Sequence, residues 1–179
     1  MEKSRVGPFL LSNRLGEDQS SSVYHAIHFE QRKAVALRLF AAPFATGPEV
    51  GAEFAREWDA LKSLRHPNIV RCYGGGFEEM QAYLAYELVK GESLASLLAR
   101  RGQLTWDMAV EYGLQIVSGL EFAHGQGIAH ECLMPDKLLV AENGQMQIAD
   151  FRVDRQNQSM YQSTTKRTVA SVNLAPPAA

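Results

Sequence analysis

Residues 127–140 read GIAHECLMPDKLLV, and residues 149–152 read ADFR. The first stretch is a turn, a histidine, a proline and then the apolar run Leu138–Val140. A run this short, followed by a second at Gln145–Ala149, reads as two short strands. Asp150 therefore stands just past a strand, on the end of a β-ribbon. His130 is a lone histidine beside apolar neighbours, a setting in which histidine usually packs rather than reacts. A Cys/His nucleophile built from Cys132 and His130 has little support, because two loop residues at this spacing point different ways.

Upstream, Thr105 suits the N-cap of a long helix reaching to about His124, with Asp107 in its favourably charged first turn. "SLASLLARRG" is a short helix ended by Gly102. "VRCYGGGFEE" and "QAYLAYELV" read as a hairpin. Pro48–Leu64 reads as a helix with an apolar stripe at Val50, Phe54, Leu61 and Leu64, broken by "HPNIV". Before it come "PFLLSNRLG", a polar turn "EDQSSS", "VYHAIHF" and "KAVALRLF", all strand-like. From Arg152 onward the sequence is polar and expected to be mobile. The expected fold class is α+β: a five-stranded antiparallel sheet with one helix, then a mainly helical part carrying short β-ribbons.

The 179 residues suit one domain or a two-lobed one. Hydrophobic residues make up 46%, enough for a core. Eighteen basic against 20 acidic residues give a net charge of −2, which argues against nucleic-acid binding and against a polybasic membrane contact. Cys72 and Cys132 form neither a metal-ligand pair nor a disulfide framework. The start of the chain lacks a signal-peptide pattern and no apolar run could span a bilayer, so a cytoplasmic location is expected.

Glu57 falls inside the apolar stripe, three residues after Phe54 and four before Leu61, so its carboxylate points inward and needs a partner. Arg38 is the strong cation of the strand "VALRLF", on the face it shares with Ala36. An Arg38–Glu57 ion pair is expected, either tying helix to sheet or facing a ligand.

Taken in order, these motifs resemble those of the protein kinase family, of the bacterial kind similar to eukaryotic Ser/Thr kinases. "LGEDQSSSVY" stands in the place of the Gly-rich loop, "VALR" of the strand motif that ends in lysine, and Glu57 of the helix glutamate. "HPNIV" follows as usual. "LAYELVKGESL" resembles the hinge, with Tyr86 as gatekeeper. "HECLMPDKLLV" resembles the catalytic loop, "ADFR" the metal-binding motif, and "NLAPP" the end of the activation segment. The resemblance implies a two-lobed fold, with a first lobe over 1–89 and part of a second over 90–179. It implies an adenine slot lined by Leu15, Val23, Ala36, Tyr86 and Leu139, with backbone groups near Glu87–Val89 at its edge and Gly16, Arg38, Glu57 and Asp150 around the phosphates.

The departures from the family pattern fall on the chemistry. Asp18 and Ser21 replace two loop glycines, which puts a negative charge before a polyanion unless the segment is simply a hairpin turn. Arg38 replaces lysine, a non-conservative exchange. Glu131 replaces the arginine that would pair with a phosphorylated activation loop. Cys132 replaces the aspartate base, and a thiol titrating near about 8.5 is a poor base at neutral pH. Met134 replaces the lysine that steadies the transferred group, and Lys137 replaces the asparagine that holds the second metal. Asp150 is the remaining metal-ligand position. It either binds one Mg²⁺ or pairs with Lys137, and the second arrangement needs no metal. Arg152 replaces the following glycine.

The resemblance thus implies a catalytically inactive pseudokinase, a binding or regulatory module that holds ATP weakly, with Mg²⁺ through Asp150 alone or absent. The alternatives are a weakly active Ser/Thr kinase and a truncated remnant without function. The family continues into further helices after "LAPP", where Pro177 stands in place of a glutamate. The long helix has one apolar stripe at Ala109, Tyr112, Ile116 and Leu120 and a second at Val110, Leu114 and Val117. The second stripe implies a protein partner or an oligomer.

Overall fold

The computed structural model describes residues 5–18, 21–40, 48–78 and 81–151, with the side chains of 48–54 and of residue 57 outside it. The expected stripe positions Val50 and Phe54, the Glu57 side chain, Arg152, Pro177 and the polar tail lie outside the described residues.

Six strands form one antiparallel sheet: β1 (Arg5–Val6), β2 (Phe9–Glu17), β3 (Ser21–His28), β4 (Lys33–Phe40), β5 (Cys72–Glu78) and β6 (Gln81–Glu87), in the order β1-β2-β3-β4-β6-β5. Five were expected. The additional strand is β1, folded back by a turn at Gly7 (φ 53°) so that Val6 lies opposite Phe9. A strand of two residues has no periodicity to read.

Alternation along β4 divides the sheet into two faces. Val35, Leu37 and Leu39 are buried and form one core with Val6, Phe9, Ala26, Tyr83 and Ala85. Residues directly opposite one another in an antiparallel ladder share a face. The register places Val23 and Leu84 opposite Arg38, and Tyr86 opposite Ala36. That second face is continuous with the larger core, where Leu84 and Cys72 meet Leu61, Leu64, Ile69, Tyr112 and Ile148. Leu61 lies in α1 (Pro48–Ser63), and Leu64 lies just after it. Full burial of a side chain such as Leu64 or Ile148 stabilises by about 1.5–3 kcal/mol.

The second lobe contains α2 (Leu94–Arg101), α3 (Trp106–Gly125) and a small sheet of β7 (Gly91–Ser93), β8 (Leu138–Ala141) and β9 (Met146–Ile148), ordered β7-β8-β9. Ser93 caps α2 by accepting from the Ser96 N–H at 3.1 Å, and Gly102 closes it with φ 80°. Thr105 caps α3 by accepting from the Met108 N–H at 3.4 Å.

The "HPNIV" segment fastens the two lobes. The Val70 N–H donates to the Ile148 carbonyl and the Ile148 N–H to the Asn68 carbonyl, both at 2.9 Å. Buried Asn68 donates through Nδ2 to Gln115 Oε1 at 3.0 Å and to the Met146 carbonyl at 2.8 Å. Gln115 Oε1 also accepts from the Met146 N–H at 2.8 Å. One amide from α3 and one from the loop thus supply backbone partners to a buried strand end, where an unpaired group would be costly.

The first expected stripe of α3 packs on the core at three of its four positions. Tyr112, Gly119 and Ala123 are buried, with Ile116 and Leu120 packed against the core, whereas Ala109 is exposed. Gly119 lets the helix come close on this side, since a Cβ there would lie 2.9 Å from the Asn68 carbonyl oxygen and 3.0 Å from Ile148 Cδ1. The second stripe is exposed among the described residues: Val110 at 42%, Leu114 at 66% and Val117 at 60%. No helix among the described residues is long and apolar enough to cross a membrane.

Close approach also governs β7. A Cβ on Gly91 would stand 2.0 Å from the Val140 carbonyl oxygen, which is held in the ladder and cannot step aside. Gly91→Ala is expected to destabilise the chain by about 2–3 kcal/mol, the cost of overpacking against fixed backbone. A urea unfolding curve measures it, with the midpoint falling and the slope unchanged.

Candidate functional site

The cleft between the lobes is closed by four charged side chains drawn from four segments. Arg38 comes from the second face of β4. Asp18 follows β2, Lys137 ends the 3₁₀ turn Pro135–Lys137 ahead of β8, and Asp150 follows β9. Each position has a local cause. Strand alternation turns Arg38 inward. The 3₁₀ turn begins at Pro135, whose fixed φ suits a first helical position. Asp150 adopts φ 67°, a left-handed conformation uncommon for a residue with a side chain though commoner for Asp than for most.

Every nitrogen of the Arg38 guanidinium has an acceptor. Nε donates to Ser21 Oγ at 2.8 Å, Nη2 donates to Asp18 Oδ2 at 3.1 Å, and Nη1 pairs with Asp150 Oδ1. Asp150 uses both oxygens, Oδ1 on Arg38 and Oδ2 on Lys137 Nζ at 2.8 Å. Lys137 also lies 3.8 Å from Asp18 Oδ2 and 3.8 Å from Asp136 Oδ2. The side chains of Arg38, Asp150 and Lys137 are 14%, 17% and 21% exposed, so these pairs are largely shielded from water. Asp18 is the open member at 37%.

Asp18 is held from its other side too. Its Oδ1 accepts from the Ser21 N–H at 2.8 Å and from Ser21 Oγ at 3.1 Å, and its own N–H donates to the Ser21 carbonyl at 2.8 Å. The turn reading and the cation-facing reading of Asp18 therefore both describe the same residue. Ser21, where the family has a glycine, is 2% exposed and bridges Asp18 to Arg38. The expected Arg38–Glu57 pair lies outside the described residues; the described carboxylate partners of Arg38 are Asp18 and Asp150. Sequence reasoning missed that Asp18 and Arg38 meet. The available signal was an acidic residue in a turn joining β2 to the strand that pairs with β4.

Among the described contacts, the side chains of Cys132 and Met134 meet each other rather than the charged cluster. Cys132 Sγ contacts Met134 Sδ at 3.7 Å, and Met134 is 49% exposed. His130 is buried at 3%. Its Nε2 bonds the Ala149 carbonyl at 2.8 Å, and its ring lies 4.8 Å from that of Phe151. It therefore positions the backbone on either side of Asp150. Leu133 is 39% exposed. Glu131, at φ 62°, also adopts a left-handed conformation.

Above the cluster, Val23, Ala36 and Tyr86 share a face of the first sheet by register and are half-buried. Leu15 is 49% exposed on β2, and a Cβ on Gly16 would meet nothing within 4 Å. Leu139 points away from the core side of β8 that Leu138 and Val140 occupy. Glu87 gives its backbone N–H to the Arg71 carbonyl at 2.8 Å, and Val89 lies in the loop after β6. The Tyr86 hydroxyl is buried without a hydrogen-bond partner among the described residues, and burial pushes its pKa far above the ordinary range. Burial likewise pushes the Cys72 thiol up to about 11. A thiol so raised is protonated at neutral pH and inert as nucleophile or ligand.

A divalent metal fits this arrangement poorly. Both Asp150 oxygens already face cations, one of them the ammonium of Lys137, the residue that by resemblance replaces a metal-holding asparagine. Among the described residues no group of three or more His, Cys, Asp or Glu side chains is placed to hold a metal. A bound Mg²⁺ would have to displace at least one ammonium or guanidinium from Asp150 and then face its charge.

The protein kinase domain family matches residues 9–178 of the chain. The chain is 34% identical over 146 residues to CBL-interacting protein kinase 12 of Oryza sativa subsp. japonica, covering 82% of this chain and 27% of that protein. It is 28% identical over 163 residues to a probable serine/threonine-protein kinase of Clostridium perfringens, covering 91% and 24% respectively. It therefore spans about a quarter of the length of these two relatives. The crystal structure of Rad53 residues 1–466 in complex with AMP-PNP superimposes with a TM-score of 0.72 at 26% identity, over 83% of this chain and 39% of that one. With the sheet order, the two-lobed architecture and the placement of the motifs, the match shows that this chain belongs to the protein kinase domain family.

Proposed function

We propose that the chain is a pseudokinase, a kinase-fold domain that serves as a binding or regulatory module, in which any nucleotide is held weakly and without Mg²⁺. The observation that carries this reading is the double engagement of Asp150 by Arg38 and Lys137. Phosphoryl transfer depends on positioned metal ions and fixed charges around the transferred group. Here the one retained metal-ligand position is spent on an internal ion pair, and Cys132 and Met134 stand where the base and the steadying lysine belong. The proposal includes a partner or second copy seated on the exposed α3 face of Val110, Leu114 and Val117.

A weakly active Ser/Thr kinase is the second reading. The retained Asp150 and the named activities of the relatives favour it. Transfer of labelled phosphate from ATP that disappears in Asp150→Ala would establish this second reading. Transfer at background in both forms supports the first.

A further inference from the structure

We propose that Asp18 is a built-in occupant of an anion site made by Arg38 and Lys137, and that its carboxylate keeps the cleft shut against phosphate-bearing ligands. The inference deepens the reading above and rests on it for the absence of metal.

Two cations from different lobes converge on one carboxylate oxygen. Asp18 Oδ2 lies 3.1 Å from Arg38 Nη2 and 3.8 Å from Lys137 Nζ. Asp150 neutralises one of those two positive charges from below, with both its oxygens engaged. Asp18 neutralises the other, together with the half-exposed Asp136 at 3.8 Å from Lys137.

The two principal carboxylates do not pair with the cations equally closely. Asp150 is 17% exposed with a short contact to each cation, whereas Asp18 is 37% exposed and makes the longer contacts. Exposed, longer ion pairs contribute least and exchange most readily for another anion. Displacing Asp18 would take the acceptor from Arg38 Nη2 and leave the two cations balanced only by Asp150 and by the half-exposed Asp136 at 3.8 Å, so that part of one positive charge is left open to another anion. That charge suits a di- or triphosphate chain arriving without a metal ion, because phosphate presents several acceptors to a guanidinium fork.

The turn itself is separable from the charge. Ser21 donates to Asp18 Oδ1, an acceptor that an asparagine also presents. Asp18→Asn thus keeps the turn and removes the occupant's charge. The probes are ATP and inorganic tripolyphosphate, each titrated calorimetrically into the whole chain in EDTA. Asp18→Asn is expected to bind both at least tenfold more tightly than the parent, with the gain abolished in Asp18→Asn combined with Lys137→Met.

A cooperatively folded Asp18→Asn whose affinity for both probes equals the parent's overturns the proposal. If Asp18→Asn shows no cooperative unfolding transition, Asp18→Ser, which also offers a turn acceptor, takes its place under the same criteria. Unchanged affinity refutes the occupant while leaving the pseudokinase reading standing. Phosphate transfer by the parent chain refutes that reading while leaving the occupant standing.

Discussion

Given labelled ATP, Mg²⁺ and a protein substrate, the chain is expected to transfer phosphate at least 10²-fold, and up to about 10⁴-fold, more slowly than the ~1–100 s⁻¹ of protein kinases. That range comes from loss of the general base alone. Cys132 is a half-buried thiol whose described side-chain contact is Met134 Sδ at 3.7 Å. On the proposed reading, the engagement of Asp150 by Arg38 and Lys137 acts in addition. The informative variant is therefore Cys132→Asp, which restores the family's residue. It is expected to leave transfer at the parent's level, because Asp150 still faces Arg38 and Lys137. A rise of tenfold or more in Cys132→Asp would mean that the base was the sole defect and that the ion pairs yield readily to metal.

Asp150→Ala is expected to lower the stability of the folded chain by about 3 kcal/mol, the scale seen when one partner of a shielded ion pair is removed and the others are stranded. Two cations lose their counter-charge at once. At an effective dielectric of about 20, the 2.8 Å Lys137–Asp150 contact alone amounts to about 6 kcal/mol of attraction before desolvation is subtracted. Among the described residues, Arg38 would then keep Asp18, and Lys137 would keep Asp18 and Asp136, as counter-charges. The sign separates the two readings of the site. A carboxylate held for a metal is poised at a cost to the fold, so its removal tends to be neutral or stabilising. A carboxylate that holds the lobes together gives the opposite result. Chemical denaturation of parent and variant decides it, and a variant as stable as the parent would count against a structural role for Asp150.

The architecture was legible because its signals are local and repeated. Alternation over Lys33–Phe40, the Thr105 cap and the Gly102 terminator each appear where the sequence places them. Six strands replaced five because Arg5–Val6 is too short to leave a pattern. The α3 stripe of Tyr112, Ile116 and Leu120 was legible, whereas the burial of Gly119 was not, because a glycine carries no hydrophobic signal even at the point of closest approach. The Lys137–Asp150 pair was one of two alternatives that the residue types allowed. The meeting of Asp18 with Arg38 was not visible, since it depends on how far a turn reaches across a cleft. The Asn68–Gln115–Met146 bonds were equally hidden, because polar side chains buried for the sake of backbone groups follow no periodicity.

The central claim is that internal cations occupy the metal's place beside Asp150. Thermal unfolding of the chain with ATP, with Mg²⁺, with both and with neither tests it most directly, because a ligand that binds only the folded state raises its melting temperature by mass action. The account predicts that ATP with Mg²⁺ gives a melting temperature no higher than ATP alone. A stabilisation that appears only when ATP and Mg²⁺ are present together would contradict it.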